Sequence, residues 1–488
     1  MLALMMALAP GGVLANDNGT PTVTTDKLNY QPEETVYING TGFSSSTTVN
    51  ITVTRPDGNE SSWDVSTDSN GAFSTTYVLD GIKGKYLVLA TDGTHEATTF
   101  FYDGSRTFDQ CKNDTDDDDE KDPCVWINGD IHSGISAYTE GDSVAYRVWM
   151  DALLHDTTHT IKIRYDFTKK TSGGFIVLGF DFLTDPDWSE DATSQRCEDI
   201  PGPIGGLSAS ECAGMSQDSE DINSDGFTFS GLTGQNAPLN GQAVSTRELP
   251  QADRIFVIYG AEITSDTAIT KVGDPEDDPS SQSEVTITFK VKTGADAACE
   301  GSGNNENCRV NLLFGGHLAK GTSDPGGWGT DRGASAFPGG SLSMRLEEID
   351  GDSSGNLNKS VQPDAVIPPG TIKILKDAIP NDPENFEFDP SWDPTNFFLD
   401  DDSDGALPNM RSFVLVFGTY TVAELGPPSP WTLTDITCTD PSGGTTDSGS
   451  TATIGLASAE IVECKFTNTK AANIILEKQT NPDGDPEE

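Results

Sequence analysis

Apolar and polar residues alternate with a period of two in many short runs along this chain. In one run Val49, Ile51 and Val53 alternate with threonine and asparagine, and the runs 161–167 and 285–291 repeat the pattern. This spacing is typical of a β-strand with one buried face, whereas a helix requires a period near 3.6. Turn-forming stretches such as PDG and SNG separate the runs. The sequence therefore predicts an all-β chain of tandem β-sandwich domains.

Acidic residues dominate the charge of the chain. Among 488 residues, 78 are Asp or Glu and 29 are Lys or Arg, which gives a formal net charge of −49. A surface this acidic repels the phosphates of nucleic acids and of anionic lipids, so nucleic-acid binding is excluded. After the first residues no apolar run approaches the ~18 residues needed to span a bilayer. We therefore predict no membrane insertion.

Two features indicate export. Residues 1–18 include a short apolar stretch that ends in Val-Leu-Ala, which predicts a partial signal peptide without its basic start. The eight cysteines fall into four neighbouring pairs without CxxC spacing, and sequential pairing is the simplest of the many possible pairings. Disulfides require an oxidising compartment, so we expect a secreted or cell-surface protein. The predicted pairs are Cys111 with Cys124, Cys197 with Cys212, Cys299 with Cys308, and Cys438 with Cys464.

Residues 19–103 form the first predicted domain. The short strands and the regular turns between them are typical of an immunoglobulin-like sandwich. The stretch TDKLNYQPEETVYINGTGF has a tyrosine, a proline turn and a strand that ends in Gly-x-Gly-Phe. In this it resembles the opening of bacterial and archaeal Ig-like surface modules, and the resemblance implies the same fold here.

Residues 104–352 form the largest predicted region, which is rich in strands and contains long loops. Loops such as GGWGTDRGASAFPGGS are of a length that is often functional, so we predict that this region carries the binding part of the molecule. The sequence leaves open whether the region is one domain or two. Residues 353–369 are polar and contain prolines, which predicts a linker.

Residues 370–471 are predicted to form a compact C-terminal β-sandwich. The motifs IKILKD, FEF, FFLDDDSDG, GTYTVAE and CKFTNT occur in this order. Together they resemble the prealbumin-like (SpaA-like or Cna-B-like) repeats of bacterial surface adhesins and pilins. The run NIILEKQTNPDG after Ala472 aligns with TIKILKDAIPND after Gly370, which places Lys478 on Lys376. This alignment predicts that residues 472–488 begin a further, truncated repeat, although chance similarity of two strands is an alternative.

Three polar residues of this domain each extend an apolar row. Lys376 follows two isoleucines at a spacing of two, Glu424 follows a tyrosine and a valine, and Asn468 follows a cysteine and a phenylalanine. The resemblance implies that such a lysine bonds covalently to the asparagine with help from the acid, forming an isopeptide bond. Burial would favour the neutral, nucleophilic amine and the protonated carboxyl group. The alternative is that these positions, which lie near strand ends, are solvated.

Clusters of acidic residues predict candidate calcium sites. The stretches are CKNDTDDDDEKDPC, DINSDG and DDDSDG, and calcium prefers a shell of about six to eight oxygen ligands. The last two lack the glutamate that closes an EF-hand loop, and solvated acidic loops or Asx turns are the alternative. The candidate ligands are Asp114, Asp116, Asp118, Glu120, Asp221, Asn223, Asp225, Asp400, Asp402 and Asp404.

No constellation of catalytic residues stands out, since neither a Gly-x-Ser-x-Gly elbow nor a P-loop occurs. We therefore predict a non-enzymatic, extracellular structural or adhesive protein, whose repeats form a stiff stalk for a binding region. The expected partner is a host, matrix or polysaccharide ligand, or a component of the cell envelope. One alternative is a secreted carbohydrate-active enzyme or accessory module, and another is a calcium-ordered surface-layer component. A concave aromatic strip that draws on Trp126, Trp149, Trp188 or Trp328 would favour sugar binding, whereas tryptophans scattered in separate cores would count against it.

Overall fold

The structure is a computed structural model, and it describes most of the chain between residues 20 and 471. The predicted signal peptide (1–18) and the predicted truncated repeat (472–488) lie outside the described residues. The described ranges are 20–27, 29–30, 34–82, 84–113, 122–200, 207–300, 307–323, 326–353, 357–402 and 405–471.

The N-terminal strands form two sheets around one apolar core. The strands are β1 (Thr22–Thr25), β2 (Asn29–Tyr30), β3 (Thr35–Thr41), β4 (Thr48–Thr54), β5 (Glu60–Ser66), β6 (Phe73–Val78), β7 (Gly84–Thr91) and β8 (Glu96–Asp103). One sheet has the order β1-β3-β6 and the other has the order β2-β8-β7-β4-β5. Val49, Ile51 and Val53 are fully buried between them, as the alternation predicts.

The middle region contains two larger sheets. Its strands are β9 (Arg106–Lys112), β10 (Val125–Ile127), β11 (Tyr138–Thr139), β12 (Ser143–Leu153), β13 (Thr158–Lys170), β14 (Ile176–Leu178), β15 (Phe180–Thr184), β16 (Gln217–Asp221), β17 (Ile255–Tyr259), β18 (Ala261–Asp266), β19 (Thr270–Val272), β20 (Ser280–Val291), β21 (Cys308–Leu318), β22 (Leu342–Ile349), β23 (Asp352–Ser353), β24 (Asn358–Val361) and β25 (Val366–Ile367). Its helical segments are α1 (Ala209–Ala213) and the 3-10 turns Gly234–Leu239, Val244–Thr246, Gln251–Asp253, Gly294–Ala297, Ala334–Ala336 and Pro363–Ala365.

These two sheets share one core. The seven-stranded sheet follows the order β10-β9-β12-β21-β17-β16, and the eight-stranded sheet is built around β18-β20-β13-β22-β23. Val148 of the first sheet and Ile163 of the second belong to the same cluster of buried apolar side chains. Strands β12 and β21 are buried on both faces, because loops cover the outer face of their sheet with a second apolar cluster.

The prediction of a linker at 353–369 is wrong for much of that segment. Strand β24 pairs with β22, and β25 pairs in parallel with β11. Val361 and Val366 lie in the core of the middle region. Apolar side chains therefore hold the segment against the sandwich, while Pro363 opens a short 3-10 turn within it.

The C-terminal strands form a separate two-sheet sandwich. They are β26 (Gly370–Ile379), β27 (Phe386–Pro390), β28 (Phe397–Leu399), β29 (Met410–Leu415), β30 (Gly418–Leu425), β31 (Trp431–Thr439), β32 (Thr446–Ser448), β33 (Thr451–Leu456) and β34 (Ile461–Lys470). The sheets have the orders β29-β26-β34-β31 and β28-β27-β30-β33-β32. The first strand, β26, pairs in parallel with the last, β34. The all-β prediction is confirmed in all three regions.

Candidate crosslink site in the C-terminal sandwich

Lys376 lies in the core of the C-terminal sandwich. Strand β26 alternates strictly, with Ile372, Ile374 and Lys376 on its buried face. The side chain of Lys376 is 0% exposed, and its ammonium group lies 4.2 Å from the centre of the Phe386 ring. A lysine so completely withdrawn from water needs compensating partners.

Asn468 provides the first of these partners. The parallel register places it beside Ala378, two residues beyond Lys376, on the adjoining strand. The Lys376 Nζ atom donates to Asn468 Oδ1 over 2.7 Å and to the carbonyl oxygen of Phe466 over 2.9 Å. The amine therefore lies against the side-chain amide of the last strand.

Glu424 approaches from the opposite sheet. Its Oε2 atom lies 3.5 Å from Lys376 Nζ, and its Oε1 atom accepts a hydrogen bond of 2.5 Å from Asn468 Nδ2. All three side chains are buried. The structure thus brings together the three predicted residues, which are separated by tens of positions in the chain, at the interface between the two sheets.

Burial shifts both titratable groups of this site toward their neutral forms. Loss of hydration lowers the pKa of Lys376 to about 8, although the nearby Glu424 carboxylate opposes the change. Loss of hydration likewise raises the pKa of Glu424 above its ordinary value, against the opposing effect of Lys376. A neutral amine is a nucleophile, and a protonated carboxyl group can supply a proton to a leaving group. The arrangement has the groups needed for amide exchange.

The four cysteine pairs are joined as disulfides. Cys438 and Cys464 face one another across β31 and β34 within the C-terminal sandwich. The other three bonds close loops in the middle region, and each joins neighbouring cysteines as predicted. They are Cys111–Cys124, Cys197–Cys212 and Cys299–Cys308.

The calcium candidates do not assemble into a metal site in the described part of the chain. There, no group of three or more His, Cys, Asp or Glu side chains could hold an ion. Asp221 and Asn223 are exposed, whereas the carboxylate of Asp225 is buried against Lys271. Asp400 is buried and Asp402 is half-buried. The remaining candidates, Asp114, Asp116, Asp118, Glu120 and Asp404, lie outside the described residues, so calcium binding there stays a prediction.

The four tryptophans do not form an aromatic strip. Trp126 and Trp149 belong to the apolar cluster on the outer face of the seven-stranded sheet, whereas Trp328 lies in another cluster with Phe229. Trp188 is half-buried, and its indole nitrogen donates to Gly141. This distribution over separate cores does not support a sugar-binding strip.

The sequence analysis did not identify Lys271 as a buried lysine that contacts an acidic side chain. This lysine lies on β19 two residues after the buried Ile269, so the period-two rule applied to Lys376 places it on the same face as that one apolar residue. The signal is weaker, because β19 is only three residues long.

Within the described ranges, no helix is long and apolar enough to cross a membrane. No curated protein matches the chain.

Three solved structures with partial similarity have TM-scores too low to support an argument about this chain. A bacterial adhesin from Mobiluncus mulieris, described as containing intramolecular disulfide, isopeptide and ester bond cross-links, is 8% identical, with a TM-score of 0.22, over 76% of this chain and 99% of its own. A tetra-tandem repeat from the extending region of a large adhesion protein is 12% identical, with a TM-score of 0.15. The match covers 93% of this chain and 99% of the repeat structure. Trypsin-activated alpha-2-macroglobulin from Escherichia coli is 10% identical, with a TM-score of 0.16. The match covers 92% of this chain and 23% of the macroglobulin chain.

A family model gives a more definite result for the C-terminal sandwich. The model of a prealbumin-like fold domain matches residues 372–470. The matched segment begins within β26 and ends with β34, so it spans the two strands that carry Lys376 and Asn468. The C-terminal sandwich of this chain is a prealbumin-like domain of the SpaA type.

Proposed function

We propose that this chain is a non-enzymatic structural or adhesive protein of a cell surface, in which the prealbumin-like domain is a covalently locked spacer. The observation that supports this most is the buried contact of Lys376 with Asn468 beneath Glu424. The prealbumin-like match, the four disulfides and the acidic surface agree with an extracellular location.

The lock is an isopeptide bond that forms once in each molecule. The neutral Nζ of Lys376 attacks Cγ of Asn468, a C–N bond forms, and the bond from Cγ to Nδ2 breaks. Glu424 takes a proton from the attacking nitrogen and gives one to Nδ2, which leaves as ammonia. The glutamic acid ends in its starting state, and no oxidant or further reactant is needed.

The position of this bond suits a spacer under tension. The chain enters the domain at Gly370 and leaves it after Lys470, through neighbouring parallel strands. A bond between Lys376 and Asn468 passes a pulling force directly from the first strand to the last. Residues 377–467 then carry no load, so the domain extends very little under force. We infer that this spacer carries the middle region, whose long loops bind an extracellular ligand or an envelope component.

Intact mass measured after disulfide reduction tests the lock. The native chain should be lighter by one ammonia than the mass expected without the bond between Lys376 and Asn468, whereas Lys376→Arg and Asn468→Ala should each lack that loss. Lys373→Arg is the matched control, because Lys373 lies on the same strand with its side chain on the opposite face. A native chain without the ammonia loss would refute the covalent lock.

A further inference from the structure

A second lysine is buried against a side-chain carbonyl group, in the middle region. Lys271 lies on β19 at the edge of the eight-stranded sheet, and its side chain is 9% exposed. Asp225 lies 46 residues earlier, in the loop that follows β16, and its side chain is 1% exposed. The Nζ atom of Lys271 lies 2.5 Å from Asp225 Oδ2. These residues lie outside the prealbumin-like domain.

Aromatic rings exclude water from this contact. The Lys271 Nζ atom lies 3.4 Å from the centre of the Phe167 ring and 5.5 Å from that of Phe227. Its other polar partner is the hydroxyl group of Ser283, at 2.6 Å. Removal of both charges from water is costly for an ion pair, whereas a neutral amide in the same place avoids that cost.

Neighbouring acids already have partners of their own. Glu248 accepts from the backbone of Asp225 over 2.7 Å and pairs with Arg254 at 3.3 Å. Asp181, which also acts electrostatically on Lys271, accepts from His317 and from Trp328. Asp225 is therefore the carboxylate that directly contacts the lysine.

The hydrogen bonds around Asp225 distinguish its two oxygens. Oδ1 accepts from the backbone N–H of Phe227 over 3.0 Å, while Oδ2 contacts the lysine. A donor held on Oδ1 polarises the carbonyl group and stabilises the negative charge that develops there during attack on Cγ. Oδ2 is then the oxygen that leaves.

We propose that Lys271 and Asp225 join in a second intramolecular isopeptide bond, formed with loss of water. A proton passes from the ammonium group to Oδ2, which gives a neutral amine and a neutral acid. Nζ attacks Cγ, a C–N bond forms, and Oδ2 departs as water with a further proton from the nitrogen. Oδ1 becomes the amide carbonyl oxygen and keeps its bond from Phe227, and the remaining N–H donates to Ser283.

This bond attaches a long loop to the sheet. The segment 222–254 contains three short 3-10 turns and no strand, and it covers Phe167 and Trp328 through its own Phe229. A covalent bond from Asp225 to β19 holds the beginning of this loop on the edge strand. The loop then keeps its conformation when neighbouring strands are strained.

Peptide mapping of the full chain, reduced and digested with trypsin, tests this bond. A modified Lys271 resists cleavage, so peptide 197–247 should appear joined to peptide 255–290, at their summed mass less one water. Lys290 Nζ lies 2.9 Å from Asp156 Oδ1, and the two side chains are 45% and 64% exposed. This exposed pair is an internal control and should stay uncrosslinked. Cleavage after Lys271 with a free Asp225 peptide would overturn the proposal.

Two variants make the test independent of the crosslink in the prealbumin-like domain. Lys271→Arg should lose the joined peptide while the ammonia loss at Asn468 remains. Asp225→Asn should also lose the joined peptide, because an amide nitrogen leaves only when an acid protonates it, as Glu424 does in the prealbumin-like domain. A joined peptide that persists in Asp225→Asn with the loss of one water would overturn the assignment of Asp225 as the partner.

Discussion

The two buried lysines of this chain share one environment and differ in their partners. Lys376 and Lys271 both lie on a strand, close to phenylalanine rings, and burial lowers the pKa of each to about 8. Lys376 contacts a neutral amide, with a carboxyl group from the opposite sheet 3.5 Å away. Lys271 contacts a carboxylate directly. The comparison shows that one burial pattern can present two different acyl groups to an amine.

The difference determines what each site requires. An amide is a poor acyl donor, because its nitrogen leaves only when protonated, and at Lys376 this role falls to Glu424. At Lys271 the leaving oxygen can take its protons from the attacking nitrogen. Hence the first site needs a third residue, whereas the second needs only exclusion of water and the donor on Oδ1.

The largest expected effect separates the sites by their need for an acid. Glu424→Gln should prevent bond formation at Lys376, since glutamine cannot exchange the proton, while the bond at Lys271 is retained. The lost crosslink closes a segment of 92 residues, so the domain should lose about 4–5 kcal/mol of unfolding free energy in a chain-entropy model.

Hydrogen–deuterium exchange of the full chain measures this loss in β26 and β34, with intact mass read in parallel. Glu463→Gln is the matched control, because Glu463 lies on β34 outside the site. Retention of the ammonia loss in Glu424→Gln would remove the difference drawn between the two sites.

A smaller effect depends on pH and reports whether Lys376 keeps a free amine. In Asn468→Ala the lysine is unlinked, and burial lowers its pKa in the folded state to about 8 from the ordinary value of 10.5. Between these values the unfolded chain binds more protons, so the stability of the variant should rise with pH from about 8 to 10.5, by about 3 kcal/mol at most, and this term is constant below 8.

In the native chain the amide does not titrate, so that rise should be missing. The midpoint of urea unfolding, followed by proteolysis within 377–467, measures both chains across this pH range. Equal alkaline rises in the native chain and in Asn468→Ala would show that the native lysine is free.

The smallest effect concerns the second acceptor of each lysine. At Lys376 that acceptor is the backbone carbonyl of Phe466, which side-chain substitution cannot remove. At Lys271 it is the Ser283 hydroxyl group, so Ser283→Ala should cost the middle region about 1 kcal/mol. Exchange protection of β19 and β20 measures the loss, with the exposed Ser265→Ala as control. An unchanged protection would mean that Ser283 contributes nothing to holding the lysine.

Local pattern sufficed for several features of this protein. Alternation with a period of two identified the strands. It also identified Lys376, Glu424 and Asn468 as polar residues that extend apolar rows, because strand geometry alone decides which side chains share a face. The neighbouring order of the cysteines was enough to predict the four disulfides. The order of motifs predicted the prealbumin-like domain that the family model matches.

Only the tertiary structure decided which of these rows meet. Lys376 lies beside Asn468 because the first and last strands pair in parallel, and Glu424 reaches them only because the two sheets pack face to face. The sequence predicts a linker at 353–369 because this segment is polar and contains prolines, yet Val361 and Val366 belong to the core of the middle region. Asp225 is predicted to be a calcium ligand from its place in the acidic stretch DINSDG. Its sequence neighbours are acidic, but its spatial neighbour is Lys271, and the chemistry of a side chain follows the groups that surround it in space.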